Sequence, residues 1–126
     1  MTETIDLGAT VVHVLAAEEA VTVLEVELAP GSGSPPHVHT REDETIVALE
    51  GSLVVDDGER RELAPRAARF LRRGTRHSFA NPGDERTRAL FVCTPGGLER
   101  FFREVAAARS DADVAAASER AGLLFG

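Results

Sequence analysis

From Thr10 to about Cys93, apolar residues alternate with charged or small ones in short runs broken by Gly, Pro and Asp. That is the two-residue period of antiparallel strands with one face against a core. In Val21–Leu28, Leu24, Val26 and Leu28 fall on one face and Glu25 and Glu27 on the other, and Ala29-Pro30-Gly31 stops the run. The same pattern predicts strands at Thr10–Ala16, Glu44–Glu50, Ser52–Asp56, Ala67–Leu71, Arg76–Ala80 and Thr87–Thr94, with Asp57-Gly58 as a hairpin turn. After Thr94-Pro95-Gly96-Gly97 the period lengthens. Leu98, Phe101, Phe102 and Val105 recur at helical spacing, which predicts an amphipathic helix from Leu98 to about Arg109 whose stripe packs on the outside of the sheet. Ser110-Asp111 then caps a second short helix, Ala112–Ala121, that stops at Gly122.

At 126 residues and 43% hydrophobic content the chain is one domain with enough apolar material for a core. It contains no Trp, Tyr, Lys or Gln, and its fourteen basic residues are all Arg. A Schiff-base or P-loop lysine and a phenolic acid or base are therefore excluded. The single Cys93 rules out an intrachain disulfide and a four-thiolate zinc site, so a reducing, cytoplasmic setting is expected. A net charge of −7, with no Arg cluster interleaved with aromatics, argues against nucleic acid as a partner. The Met1–Asp6 segment is acidic and has no apolar stretch behind it, and no run approaches the ~20 apolar residues of a membrane span. A soluble, unprocessed chain with no membrane partner is expected.

Three of the four His fall in two short stretches. In Gly31-Ser-Gly-Ser-Pro-Pro-His37-Val-His39-Thr-Arg-Glu-Asp-Glu44, strand alternation points His37 and His39 to the same side, where they can offer two imidazoles to one ion. Glu44 lies at odd spacing from His39, but the polar run Thr40–Asp43 reads as a turn that resets the register. If the face shared by Glu44, Ile46 and Ala48 is inward, Glu44 joins the pair. The second stretch, Gly74-Thr-Arg-His77-Ser-Phe79-Ala-Asn81-Pro-Gly, supplies a third imidazole with Phe79 beside it as a wall. Three imidazoles and a carboxylate suit one first-row transition metal such as Fe, Mn, Ni, Cu or Zn, rather than Mg or Ca.

The spacing Gly31, His37-x-His39, Glu44, Gly51, followed by Gly74-x-x-His77-x-x-x-Asn81, resembles the two motifs of the cupin superfamily, over roughly Val21 to Gly96. With its C-terminal helices the chain looks like a small single-domain cupin of the quercetin-dioxygenase-like kind. The resemblance implies metal ligation by His37, His39, Glu44 and His77, a turn at Gly51 and a structural Asn81. Arg72 and Arg66 stand where the second motif usually has Pro and Gly. The fold implied is mostly β, a cupin double-stranded β-helix or jelly-roll barrel over residues 1–96, with a helical appendage at 97–126 packed on the same domain.

Other residues have plainer readings. Glu42 and Asp43 are solvated turn residues, His13 a structural or surface His, Cys93 a small buried hydrophobe, and Phe101 and Phe102 packing residues. Arg69, Arg72, Arg73 and Arg76 form a solvated charged face; Arg72 shares a parity with Phe70, and the alternative reading takes it into the barrel mouth to pair with an anionic substrate. Ile46, Ala48, Phe70, Phe79 and Phe91 are expected to line the pocket. The function the resemblance implies is a metal-dependent oxygenase of the dioxygenase type acting on a small organic substrate, with Glu44 also serving as proton acceptor. A metal-dependent isomerase or cyclase and a non-catalytic small-molecule-binding protein are the alternatives, and a homodimer is compatible with each.

Overall fold

The computed structural model describes residues 2–126; Met1, at the head of the acidic N-terminal segment, lies outside the described residues. The strands are β1 (Glu3–Asp6), β2 (Thr10–Ala17), β3 (Thr22–Leu28), β4 (His37–His39), β5 (Asp43–Glu50), β6 (Leu53–Asp56), β7 (Arg60–Leu63), β8 (Ala68–Leu71), β9 (Arg76–Ala80), β10 (Thr87–Thr94) and β11 (Leu123–Phe125). Two helices, α1 (Glu99–Ala107) and α2 (Asp111–Ala121), separate the last two strands. Among the described residues, no helix is long and apolar enough to cross a membrane.

The strands form two antiparallel sheets, a six-stranded one ordered β1-β2-β3-β10-β5-β8 and a five-stranded one ordered β11-β4-β9-β6-β7. Their inner faces meet in one core built from Val12, Leu24, Val26, Leu28, Ile46 and Phe91 on one side and Leu53, Val55 and Leu63 on the other. The two-residue period predicted an antiparallel β domain and seven of its strands, with ends shifted by a residue or so, and the resemblance carried by the motifs implied the two-sheet barrel. The period did not reveal β1, β7 or β11, each of which has four residues or fewer.

Gly51 turns β5 into β6 at φ +81°, and a Cβ there would meet Thr87 Oγ1 at 2.8 Å. Asn81 ties the loops together. Its side-chain amide donates to the carbonyls of Leu28 (3.0 Å) and Glu85 (2.7 Å) and accepts from the Gly83 N–H (3.0 Å). The Arg72–Thr75 turn closes without the family's usual Pro, through the Thr75 N–H to the Arg72 carbonyl at 3.0 Å. The Ser110 side chain caps α2 by accepting from the Asp113 N–H at 3.1 Å, and Gly122 ends it in the left-handed region at φ +71°.

The helices differ from expectation in where they go. The stripe of α1 does not cover the outside of a sheet; Leu98 and Phe101 cluster with Cys93 and Leu123 at one end of the sandwich. Two bonds hold the start of α1 there: the Thr22 hydroxyl donates to buried Glu99 at 2.5 Å and accepts from the Gly97 N–H at 2.9 Å. Helix α2 then returns the chain so that β11 pairs with β4, Leu123 opposite His39 and Phe125 opposite His37. The segment after residue 97 therefore adds a strand as well as helices.

Candidate metal centre

Strand register builds the site. β4 pairs with β9 so that His37 stands opposite His77, and their ring centres lie 4.5 Å apart. His39, two residues along the same face, has its ring nearly parallel to that of His77 at 5.3 Å. Glu44 comes from the facing sheet, because the turn after His39 sets Glu44, Ile46 and Ala48 inward. All four side chains are buried.

The hydrogen bonds fix which ring nitrogen faces the centre. His37 Nδ1 lies 2.9 Å from the Pro35 carbonyl, His39 Nδ1 2.9 Å from Glu42 Oε1, and His77 Nδ1 3.1 Å from the Thr75 carbonyl. Each partner is an acceptor, so each Nδ1 carries a proton and each Nε2 faces the centre; His77 Nε2 meets the Glu44 carboxylate there and would give up its proton to an ion. His37 Nε2 and His39 Nε2 are 3.2 Å apart. Glu44 Oε1 is 3.2 Å from His77 Nε2, and its Oε2 is 3.5 Å from His39 Nε2. Bonds of about 2.1 Å to one ion place neighbouring donors roughly 2.9–3.4 Å apart. The cluster of His37, His39 and His77, joined by Glu44, fits a divalent transition metal in both spacing and donor type.

Burial, reinforced by the charges of His77 and His39, pulls the His37 imidazole from its usual value near 6.5 down to about 4. Burial also lowers His77 and raises Glu44, but their mutual hydrogen bond and charges outweigh it, leaving His77 raised and Glu44 lowered. Without an ion the site thus holds one ion pair and a neutral His37. Cys93 lies beside them, its Sγ 3.6 Å from Glu44 Oε2. Burial, then the Glu44 charge, pushes its thiol far above the usual range, so it is a neutral neighbour rather than a nucleophile.

Above the centre lies a pocket of about 70 Å³. The barrel contributes Phe79 and Phe91, Leu98 at the N-cap of α1 joins Phe101 and Phe102 of that helix, and β11 contributes Leu123 and Phe125. Phe79 meets Phe91 edge-on at 4.9 Å, and the Phe125 ring lies 5.5 Å from that of His37.

Several sequence readings are corrected here. Phe70 is 59% exposed. It pairs with Thr45 while Leu71 pairs with Glu44, so Leu71 takes the inward place and Phe70 faces out. Ile46 and Ala48 point inward but sit deeper, fully buried in the core and away from the pocket. Arg72 is exposed and does not reach the mouth. Phe101 and Phe102, read as plain packing, wall the pocket. Glu42 is 5% exposed and holds His39. It shares the parity of Glu44, a signal that pointed inward. His13 is half-buried and bonded to Glu27 and Thr4, away from the centre.

A family model described as Cupin domain matches residues 24–93. The tetracenomycin polyketide synthase protein TcmJ of Streptomyces glaucescens is 39% identical over 71 residues, covering 56% of this chain and 48% of that protein. The chain spans about half the length of the curated relatives it matches. Among solved structures, the polyketide cyclase RemF of Streptomyces resistomycificus is 27% identical with a TM-score of 0.64, over 74% of this chain and 73% of that one. KdgF from Halomonas sp. shares the fold at a TM-score of 0.71 and 20% identity, over 77% of this chain and 91% of its own.

Proposed function

The chain belongs to the cupin family, and on that premise we propose that His37, His39, His77 and Glu44 hold a divalent transition metal in an enzyme of the cyclase type. Its substrate is a small aromatic or polyketonic molecule. The observation that carries this reading is that His37, His39 and Glu44, clustered with His77, open on a pocket whose other walls are almost wholly hydrocarbon. Apart from His37, His39 and Glu44, Ser34 is the one polar residue lining that pocket among the described residues, and its hydroxyl already accepts from the Phe79 N–H at 3.3 Å. A hydroxyl-rich substrate would leave its polar groups unpaired there. Fused rings or a folded polyketone would instead lie against the phenyl groups and turn their oxygens toward the donors. The names of the relatives TcmJ and RemF support the same substrate class.

A bound ion would supply Lewis acidity toward a carbonyl or enol oxygen. The protein does the rest. Glu44 is ionised and accepts a proton from carbon next to the carbonyl, returning it to the ring being formed. Glu42, Pro35 and Thr75 hold the three imidazoles in one tautomer. Phe79, Phe91, Phe101 and Phe125 exclude water from the enol.

A second reading, oxygen-dependent turnover of the same kind of substrate, is favoured by a donor set that suits Fe, Mn, Ni and Cu as well as Zn. Protein purified without a His-tag and reconstituted should hold about one equivalent of metal, and less than about a tenth of an equivalent of any transition metal would end both readings. His39→Ala should weaken retention by ~10–100-fold or more. Polyketone, flavonol, diketone and catechol panels run with and without oxygen then separate the two. Product formed anaerobically supports the cyclase, and oxygen uptake matched to product supports the oxygenase.

A further inference from the structure

The pocket over the candidate centre is about 70 Å³, whereas a cavity that admits a single benzene ring is roughly 150 Å³. A substrate of the class just argued needs more room, and the structure offers it in one direction. On the other side of Leu98 and Phe101, which line both spaces, lies a cavity of about 310 Å³ between the β4–β5 turn and the two helices. Its charged lining is Arg41, Glu42, Arg100, Glu104 and Arg120.

Those charges do not cancel. Arg120 bonds Glu104 at 3.0 Å, and Glu42 is occupied by His39. The Arg41 guanidinium donates to the Arg120 backbone carbonyl and has no carboxylate partner among the described residues. Arg100 makes neither an ion pair nor a side-chain hydrogen bond among them, so its guanidinium stands free. In a chain of net charge −7, a lining of three Arg against two Glu leaves this cavity net positive, and the Arg41 and Arg100 guanidinium groups have no carboxylate partner among the described residues. They present the forked donors that match a carboxylate.

We propose that this cavity receives the carboxylate of an aryl or polyketo acid, whose apolar body passes Leu98 and Phe101 to reach the metal pocket. Arg100 and Arg41 hold the carboxylate, and the hydrocarbon partition selects for an apolar stem between the anionic end and the reacting end. This rests on the metal pocket being the reacting site, and it adds a second point of attachment that fixes which end of the substrate enters first.

The test is calorimetric titration of metal-free protein with 3-phenylpropanoate, its neutral amide and inorganic phosphate. The carboxylate should bind about tenfold tighter than the amide, the contribution of one charge-assisted hydrogen bond. Arg100→Gln should remove that preference without changing binding of the amide, and Arg41→Gln should reduce it. Arg103→Gln, on the same helix but paired with Glu3, should leave it intact. Equal affinity for acid and amide, no measurable binding of the acid, or an equal loss from Arg103→Gln would overturn the subsite. Phosphate binding as tightly as the arylcarboxylate would overturn the need for an apolar stem. Because the Arg100 side chain makes no hydrogen bond or ion pair among the described residues, its variant should keep the wild-type unfolding midpoint. A protein that takes up no metal yet prefers the acid sinks the metal reading alone, and one that loads metal yet shows no preference sinks the subsite alone.

Discussion

The inner face of the six-stranded sheet carries three successive rungs across β3, β10 and β5. Thr22, Cys93 and Glu44 form the rung at the mouth, Leu24, Phe91 and Ile46 the next, and Val26, Ala89 and Ala48 the floor. All nine side chains are buried and all point the same way. The lower rungs are packed hydrocarbon, while the mouth rung anchors α1 through Thr22 and brings Glu44 to the imidazoles. The same pleat serves both ends; depth decides which residues pack and which do chemistry. A few ångströms along β5 convert an inward position from a stabilising one into one that costs stability for the sake of binding.

Ile46→Ala breaks the comparison at the middle rung. It should cost about 2–5 kcal/mol in denaturant unfolding and leave metal stoichiometry unchanged. Loss of metal without loss of stability would show that the two ends are not separable.

The next effect probes the mouth through pH, in metal-free protein. His37 has a folded-state value of about 4 against a usual 6.5, so the unfolded chain binds more protons between those values. Stability should fall by on the order of 2–3 kcal/mol as pH drops through that window. His77 has a raised value, so its contribution is complete below the usual imidazole value and is lost as pH rises through the folded one. Thermal melts should therefore be highest near the ordinary imidazole range and fall on both sides. Ile46→Ala should lower that curve without changing its shape.

Glu42→Gln keeps the size of the side chain but removes the charge that holds His39. Metal affinity should drop by about tenfold, near 1.4 kcal/mol, in competition with a chelator, with little change in unfolding of the metal-free protein. The smallest effect lies at the floor. Arg66 sits at φ +76° while its N–H donates to the Ala48 carbonyl at 2.7 Å. Arg66→Gly should raise stability by about 0.5–1 kcal/mol and leave metal binding untouched.

Parity explains what the sequence made legible. His37, His39 and His77 could be assigned to one face because strand alternation is strict, and Glu44 followed once the turn at Thr40–Asp43 was taken to reset it. Glu42 was missed because an acid in a polar turn looks solvated, although it stands two residues from Glu44 and on the same side. Phe70 was misplaced because β8 has only four residues, and its phase is set by pairing with β5 rather than by its own pattern. The stripe on α1 was visible, but a stripe says only that something is covered. Its destination over the mouth depends on the buried Thr22–Glu99 bond, whose partners are 77 positions apart.

β4 is a three-residue strand carrying two of the imidazoles, and it is an interior strand only because β11 lies on its far side. Thr40 meets the Gly122 carbonyl across 82 positions of chain. Without β11, the strand that carries His37 and His39 would itself be the open edge of the five-stranded sheet. The last described strand therefore shields the candidate centre from edge-to-edge pairing although it supplies none of the four donors.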